Sequence, residues 1–246
     1  MTALAIGLLG SGEFEPWAEA VDRWLLARAT IGDGRVLVLP TAAAPEGDDV
    51  FETWAEKGLA HYGRLGVQAE VVPLKTRDDA SDERVVAALD RASMVFFSGG
   101  NPAYLASTLV GTKFWEALVS ALARGLAYAG CSAGVASLGD VAPDTTVEGL
   151  TAELWQPGLG FFPGVYLGPH WDALDTYVPG LRDFFVSAVP TSGRLLAIDE
   201  RTAIVGDGAR WSVVGSSAAH LLQDGAWRHF ASGEAFVAGL LPMDWA

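Results

Sequence analysis

Short runs of consecutive apolar residues alternate with amphipathic segments along the first two-thirds of this chain. Runs that are apolar throughout are typical of strands in a parallel sheet that is covered by helices on both faces. The pattern predicts an α/β fold: a three-layer sandwich with a mostly parallel central sheet and right-handed crossovers. The predicted strands are residues 3–9, 35–39, 67–74, 94–98 and 126–129, and the predicted helices are residues 17–27, 49–65, 82–90 and 114–123.

The last third of the chain has a different pattern, with short strands separated by glycine-rich turns. Gly206-Asp207-Gly208 is typical of a hairpin turn. We expect these strands to form an antiparallel extension of the same sheet. Because no Pro/Ser-rich linker, repeat or low-complexity segment interrupts the chain, residues 1–246 are predicted to form a single domain. The predicted late strands are residues 195–199, 202–205, 211–214 and 235–240.

Composition excludes several classes of function. The formal net charge is −14 and no basic cluster is present, which argues against nucleic acid as a partner. With one cysteine and four widely spaced histidines, neither a disulfide framework nor a metal site is expected, and no cofactor is predicted. Nine tryptophans and eleven phenylalanines could supply a subunit contact, so a homo-oligomer is a candidate assembly.

The N-terminal segment has a short apolar run without a basic flank, so we do not expect a signal peptide. No stretch of about 18 apolar residues suggests a membrane span. The sequence therefore predicts a cytoplasmic protein that has no membrane partner.

The run Gly130-Cys131-Ser132-Ala133-Gly134 has the G-x-S-x-G pattern of a nucleophile elbow between a predicted strand and a helix. The sharp turn exposes the serine hydroxyl, and glycines two positions to either side avoid steric clashes. Ser132 is thus the predicted nucleophile of a serine hydrolase. The alternatives are a glycine-rich turn that contains a serine by chance, and Cys131 as nucleophile, although Cys131 has alanines at the positions where glycines are needed.

His170 is the best candidate for the general base, because it follows an apolar run where a loop at the sheet edge would begin. The other histidines are interpreted as surface or structural residues. This reasoning does not identify which acidic residue would orient His170. The other histidines are His61, His220 and His229, and the acidic residues near the site in sequence are Asp140, Asp144, Glu148, Glu153, Asp172 and Asp175.

Gly99-Gly100-Asn101 follows a predicted strand and is expected to form the second wall of the site. Glycine allows backbone N–H groups to approach a ligand closely. The amides of Gly100 and Ala133 are the predicted oxyanion donors. Gly99, Asn101 and Trp171 are the predicted substrate contacts. An ordinary turn at the strand end is the alternative interpretation.

Together these segments resemble peptidase family S51, which contains dipeptidase E and cyanophycinase. The resemblance covers nearly the whole chain, and the order and spacing of its segments are more specific than any one of them. Besides the elbow, the segments are Gly10-Ser11-Gly12-Glu13-Phe14, Leu39-Pro40-Thr41-Ala42, Phe97-Ser98-Gly99-Gly100-Asn101, Pro169-His170-Trp171 and Ala197-Ile198-Asp199-Glu200-Arg201-Thr202-Ala203.

The resemblance implies a class I glutamine amidotransferase-like fold and a Ser–His–acid triad with Ser132 as nucleophile and His170 as base. It places the acid between them, where Glu148 matches best by spacing and Asp144 second. The implied activity is hydrolysis of small peptides through an acyl-enzyme, with aspartyl or isoaspartyl peptides as candidate substrates.

Departures from the family pattern affect the substrate. Cyanophycinases carry several arginines after the histidine, whereas Asp172 and Asp175 follow His170 here. This favours the dipeptidase E branch over cleavage of β-aspartyl-arginine linkages. An aspartyl preference would need a cationic pocket residue, which the sequence does not identify. Further alternatives are an α/β-hydrolase esterase with His229 as base, and a non-catalytic binding protein on the same scaffold.

Overall fold

The computed structural model describes residues 4–241 of the chain. Ala3, the predicted first residue of the first strand, and the two ends of the predicted 1–246 domain lie outside the described residues. The strands are β1 (Ala5–Leu9), β2 (Arg35–Leu39), β3 (Ala69–Val71), β4 (Ala92–Phe97), β5 (Ala127–Cys131), β6 (Val141–Pro143), β7 (Trp155–Pro157), β8 (Val165–Gly168), β9 (Arg194–Ile198), β10 (Thr202–Gly206), β11 (Arg210–Gly215), β12 (Ala218–Gln223), β13 (Ala226–Ala231) and β14 (Ala235–Val237).

The helices lie mostly between the early strands, as the alternating pattern predicts. The α-helices are α1 (Glu19–Leu26), α2 (Asp48–Leu65), α3 (Glu83–Ala87), α4 (Pro102–Leu109), α5 (Lys113–Arg124), α6 (Ala133–Ala136), α7 (Leu174–Tyr177) and α8 (Leu181–Ala188). Single 3₁₀ turns cover Pro16–Ala18, Thr41–Glu46, Asp79–Ser81, Ala88–Arg91 and Ala152–Leu154.

The main sheet has the strand order β14-β11-β10-β1-β5-β4-β2-β3 within the described residues. Strands β1, β5, β4, β2 and β3 pair in parallel. Strands β10, β11 and β14 continue the sheet with antiparallel pairing. The predicted α/β class, with a mostly parallel sheet and an antiparallel C-terminal extension, is confirmed.

A second sheet with the order β13-β12-β9-β8 was not predicted. Strand β8 pairs in parallel with β9, and β9, β12 and β13 pair antiparallel. The strand predicted at residues 195–199 therefore belongs to this second sheet, which corrects the expectation that it extends the central one. A short β6–β7 pair forms a third element.

Alternating side chains of the central strands pack against two different layers. Val36 and Val38 face α1 and α2, whereas Leu37 and Leu39 face the layer that contains α5 and β9. All four side chains are fully buried. Burial of each such side chain contributes about 1.5–3 kcal/mol, so both faces of the sheet stabilise the fold.

Helix α4 is one of the helices that the sequence pattern did not predict. Asn101 caps it by accepting a hydrogen bond from the Tyr104 amide, and Pro102 occupies its first turn. An Asn-Pro pair also begins turns, so the local signal does not distinguish the two outcomes. Among the described residues, no helix is both long enough and apolar enough to cross a bilayer.

Candidate active site

Ser132 lies on a strained turn between β5 and α6. Its backbone angles are φ 51° and ψ −105°, and non-glycine residues rarely adopt a positive φ. The Ser132 amide donates to the Leu9 carbonyl at 3.1 Å, and the Ser132 carbonyl accepts from the Val135 and Ala136 amides at 2.9 Å. The turn is thus held by neighbouring backbone on both sides, with the side chain partly exposed.

The two glycines of the turn are required by close backbone contacts. A Cβ at Gly130 would lie 2.4 Å from the Gly134 carbonyl oxygen, and a Cβ at Gly134 would lie 2.5 Å from the Phe97 carbonyl oxygen. Backbone atoms cannot move aside as the end of a side chain can. The geometry of the turn is therefore that of a nucleophile elbow.

Cys131 points away from the exposed side of the turn. Its side chain is fully buried in the layer that contains α1 and α2. Burial, reinforced by the nearby charge of Glu13, raises the pKa of the Cys131 thiol well above its usual value. A buried, protonated thiol is a poor nucleophile, so this geometry disfavours the alternative in which Cys131 attacks the substrate.

His170 follows β8 and contacts Ser132 directly. Its Nε2 atom lies 2.8 Å from Ser132 Oγ, although the two residues follow strands of different sheets. His170 has a φ of 55°, which turns the chain sharply after the strand. The structure therefore brings the predicted nucleophile and the predicted base within hydrogen-bond distance.

The carboxylate that contacts His170 is Glu200, which the sequence analysis did not select. Glu200 Oε1 lies 3.0 Å from His170 Nδ1. Glu148, the acid that the resemblance favours, is exposed in the loop between β6 and β7. The second choice, Asp144, instead accepts hydrogen bonds from Asn101 Nδ2 and from the Thr146 amide and hydroxyl. The structure thus places Glu200 beside His170, and it brings neither Glu148 nor Asp144 into contact with that histidine.

Parallel pairing of β8 with β9 explains the position of Glu200. The register places Gly168 beside Ala197, so the residues that follow the two strands emerge at the same edge. His170 comes two residues after Gly168, and Glu200 comes three residues after Ala197. The segment containing Glu200 was among those that carry the family resemblance, but its pairing with β8 was not visible in the sequence.

Glu200 is held by contacts beyond His170. Its Oε1 atom also accepts a hydrogen bond of 2.7 Å from the Tyr177 hydroxyl, and its amide donates to Asp172 Oδ1 at 2.8 Å. The hydrogen bonds from His170 and Tyr177 lower the pKa of Glu200 below its usual value. An ionised Glu200 accepts the Nδ1 proton of His170, which leaves Nε2 free to accept the Ser132 hydroxyl proton.

The predicted oxyanion donors lie beside the elbow and after β4. Neither the Gly100 amide nor the Ala133 amide donates a hydrogen bond within residues 4–241. A Cβ at Gly100 would lie 2.3 Å from the Ala42 carbonyl, and its φ is 141°, so only glycine fits. Both amides thus have no acceptor among the described residues, as the predicted role of oxyanion donor requires.

Three predicted substrate contacts have other partners in the structure. The Gly99 amide donates to Glu13 Oε1 at 3.0 Å. The amide group of Asn101 is shared between Asp144 and the Tyr104 cap. Trp171 is buried in an apolar cluster and lies against Trp227, with ring centroids 5.6 Å apart. A direct role of these three residues in binding substrate therefore stays a prediction, and the structure shows that each already has a partner within the protein.

The remaining histidines lie in separate networks. His61 is buried against Asp22, with 2.7 Å between Nε2 and Oδ2. His220 contacts Asp199 and His229 at the β12–β13 pair. The geometry thus gives no support to an esterase that uses His229 as the base of Ser132. Within residues 4–241, no group of three His, Cys, Asp or Glu side chains is arranged to hold a metal ion.

A protein-family model for peptidase family S51 matches residues 6–214, which include the elbow, His170 and Glu200. The chain belongs to peptidase family S51. Two curated cyanophycinases, from Nostoc sp. (strain PCC 7120) and Trichormus variabilis, are 25% identical to it over 178 residues, or 69% of this chain. The chain spans 57% of the length of these relatives.

Solved structures match this S51 chain over more of its length. A peptidase from an acI-B1 Actinobacterium is 30% identical, with a TM-score of 0.86, and the match covers 96% of this chain and 97% of that one. A Listeria monocytogenes EGD-e protein, described as a candidate peptidase E, is 18% identical with a TM-score of 0.61; the match covers 87% of this chain and 98% of that one. The second match supports the fold alone.

A cavity of about 840 Å³ adjoins the S51 site on the side of Glu200. It lies between the loop after β1, one face of α2 and the β9–β10 connection. Its lining carries both signs of charge together with aromatic surface. The charged and aromatic lining residues are Glu13, Phe14, Glu15, Trp54, Lys57, Arg64, Asp172, Glu200 and Arg201.

Proposed function

We propose that this S51 protein is a serine peptidase that hydrolyses small peptides through a Ser132–His170–Glu200 triad and an acyl-enzyme. The proposal rests on one observation: Ser132 Oγ, His170 and the Glu200 carboxylate form a continuous hydrogen-bonded chain on a strained elbow. Such a chain activates a hydroxyl that is otherwise a weak nucleophile.

In the first half of the reaction, His170 Nε2 takes the Ser132 proton while Oγ attacks the peptide carbonyl carbon. The tetrahedral intermediate carries a negative oxygen, to which the Gly100 and Ala133 amides would donate. His170 then gives the proton to the leaving amine. The C–N bond breaks, the first product departs, and an ester joins the acyl part of the peptide to Ser132.

In the second half, water replaces the leaving amine. His170 accepts a proton from the water as its oxygen attacks the ester carbonyl, and the same two amides would receive the second oxyanion. Collapse of this intermediate breaks the bond to Ser132 Oγ, which regains the proton from His170. Glu200 remains ionised throughout and stabilises the histidine cation that forms in each half.

The cavity beside Glu200 touches the proposed triad at Glu200, while Ser132 and His170 are not among its lining residues. It is therefore the candidate space for the part of a small peptide that extends away from the scissile bond. Its volume of about 840 Å³ suits a ligand of a few residues. Lys57 and Arg64 have no carboxylate partner among the described ion pairs, so they could receive an anionic group. Aspartyl or isoaspartyl dipeptides carry such a group and are the first substrates to test.

A second candidate is cleavage of β-aspartyl-arginine linkages. The curated cyanophycinase relatives favour it, and the carboxylates of Glu15 and Asp172, which line the same cavity, could receive a guanidinium group. The arginine-poor segment after His170 favours dipeptides instead.

The test is a substrate panel that contains aspartyl dipeptides, isoaspartyl dipeptides, neutral dipeptides and cyanophycin. Wild-type protein is compared with Ser132→Ala, and both are treated with an alkyl fluorophosphonate. We expect the wild type to cleave dipeptides and to be labelled at Ser132, and the variant to do neither. Cleavage of cyanophycin alone would favour the second candidate, and equal turnover by Ser132→Ala would contradict the mechanism.

A further inference from the structure

The carboxylate of Glu13 connects the two chain segments that flank the site. Its Oε1 atom accepts the Gly99 amide at 3.0 Å, and its Oε2 atom accepts the Cys131 thiol at 3.0 Å. Gly99 directly precedes Gly100, and Cys131 directly precedes Ser132. One side chain thus contacts the neighbour of a proposed oxyanion donor and the neighbour of the proposed nucleophile.

In the contact with Cys131, a neutral thiol donates a hydrogen bond to the Glu13 carboxylate. The thiol is fully buried, and burial and the charge of Glu13 raise its pKa well above the usual value. It therefore keeps its proton and donates it to Glu13. This anchors the carboxylate against β5, the strand that leads into the elbow.

The contact with Gly99 lies in the middle of a loop that is held only at its ends by backbone. The Ser98 amide donates to the Leu39 carbonyl at 3.3 Å, and the Asn101 amide donates to the Ala42 carbonyl at 2.8 Å. Between them are two glycines, which restrict the backbone least of all residues. The hydrogen bond from Glu13 supplies the restraint that the glycines lack.

Gly99 lies between the Glu13 carboxylate and the Ser132 side chain. A Cβ at Gly99 would lie 3.3 Å from Glu13 Oε1 and 3.5 Å from Ser132 Cβ. The Glu13 carboxylate, the Gly99 backbone and the Ser132 side chain thus adjoin one another. A change in the position of any one of them alters the distance between Ser132 and the Gly100 amide.

We propose that Glu13 is a positioning residue that fixes the Gly99–Gly100 peptide relative to Ser132, so that the Gly100 amide meets the oxyanion. This inference rests on the proposed function. Glu13 acts through Gly99 and need not touch the reacting atoms. The oxyanion is present in the tetrahedral intermediates and develops in the transition states that flank them, but it is absent from the bound substrate. Loss of Glu13 therefore lowers kcat with little change in KM.

The experiment compares Glu13→Ala, Glu13→Gln, Glu13→Asp and Cys131→Ala with the wild type. Gln retains an oxygen that can accept the Gly99 amide, whereas the shorter Asp cannot reach Gly99 and Cys131 together. Cys131→Ala removes only the thiol contact. Glu19→Gln is the matched control, because Glu19 lies on α1 and pairs with Arg23 at the surface.

The main readout is the second-order rate constant for labelling of Ser132 by an alkyl fluorophosphonate, with kcat and KM for any dipeptide that is cleaved. We expect about a 10–100-fold loss of rate for Glu13→Ala, since misplacing or removing one oxyanion donor has effects of this order. Asp should show a smaller loss, Gln should stay within about tenfold and Cys131→Ala within about threefold. Glu19→Gln should match the wild type.

Amide hydrogen exchange in ¹⁵N-labelled protein gives a second readout that does not depend on activity. In Glu13→Ala and Glu13→Asp, the Gly99 amide should exchange faster, while the Asn101 amide keeps its protection through Ala42. If Glu13→Ala does not fold, two other results test the hydrogen bond between Glu13 and the Gly99 amide. Ser132 should be labelled faster in Glu13→Gln than in Glu13→Asp, and the Gly99 amide should exchange faster in Glu13→Asp than in the wild type.

The possible outcomes distinguish the positioning role of Glu13 from the proposed function. A wild type labelled at Ser132, with Glu13→Ala and Glu13→Asp labelled equally fast, overturns the positioning role and leaves the proposed function intact. A wild type that is neither labelled nor active on any peptide overturns the proposed function, and the positioning role falls with it. A rise in KM at unchanged kcat would also contradict it, because that pattern indicates a substrate contact.

Discussion

Tyr177 donates a hydrogen bond of 2.7 Å to Oε1 of Glu200, the same oxygen that lies 3.0 Å from His170 Nδ1. The Tyr177 ring also meets the His170 ring edge to face, with centroids 5.8 Å apart. Tyr177 is nevertheless 60% exposed, so few other contacts hold it in place. The exposed side chain of Tyr177 thus restrains Glu200 and packs against His170 of the proposed triad.

Tyr177→Phe should therefore change the pH dependence of activity more than the stability. The Tyr177 hydrogen bond helps to lower the pKa of Glu200, so its removal raises that pKa. Glu200 then becomes protonated at a higher pH as the solution is acidified, and the loss of activity that follows its protonation in the acid range moves to higher pH. At neutral pH the rate should stay within about threefold, since exposed hydrogen bonds contribute little.

The check is a pH series of kcat/KM or of fluorophosphonate labelling. Tyr104→Phe serves as control, because its hydroxyl bonds the Lys75 carbonyl away from the triad. A profile of Tyr177→Phe that overlays the wild type at all pH values would show that the phenol does not influence Glu200.

Glu200→Gln and Glu148→Gln together test which residue is the acid of the proposed triad. Gln in place of Glu200 removes the negative charge that stabilises the His170 cation, so kcat should fall about 10²–10⁴-fold. Glu148 is exposed in the β6–β7 loop, and its variant should retain wild-type kcat. Steady-state kinetics on the best dipeptide decide between them, and the reverse result would restore Glu148 as the acid.

Gly134→Ala should destabilise the protein by about 1–3 kcal/mol or prevent folding, because overpacking forces backbone to move. The added Cβ would lie 2.5 Å from the Phe97 carbonyl oxygen. Gly63→Ala is the opposite case, since nothing lies within 4 Å of its Cβ position in α2. It should stabilise the fold by roughly 0.5–1 kcal/mol. Urea unfolding measures both, and a Gly134→Ala protein of wild-type stability would refute the steric account of the elbow.

Asp22→Ala should be strongly destabilising although it lies outside the site. Asp22 is buried and accepts hydrogen bonds from His61 and from the Tyr62 hydroxyl at 3.0 Å. Removing the carboxylate leaves two buried polar groups without their hydrogen-bond partner, and each such group costs about 1–3 kcal/mol. Denaturant titration should show this loss, and Asp22→Asn, which can still accept from Tyr62, should lose less.

The elbow and much of the parallel sheet could be predicted because their signals are local. The two glycines of the G-x-S-x-G pattern avoid steric clashes within the turn itself. The predicted strand 35–39 coincides with β2. The nearby turn at His170 was also marked by an apolar run and by Pro169. Each of these features depends on residues that are adjacent in the chain.

Glu200 could not be predicted because its role depends on a long-range register. The parallel pairing of β8 with β9 brings together segments that are 30 residues apart. Trp171 and Asn101 illustrate the same difficulty, since each has a side chain suited to binding a ligand. Only the fold shows that Trp171 fills an apolar cluster and that Asn101 caps α4.

The second sheet carries His170 and leads into Glu200, whereas Ser132 is carried by the first. The 2.8 Å contact between Ser132 and His170 is therefore also a measure of how the two sheets are docked. A shift of one sheet by an ångström would separate hydroxyl from imidazole while leaving each sheet internally unchanged. The reactivity of Ser132 would then report the relative position of the two sheets. Substitutions of residues buried between the sheets could abolish activity although they leave the triad residues unchanged.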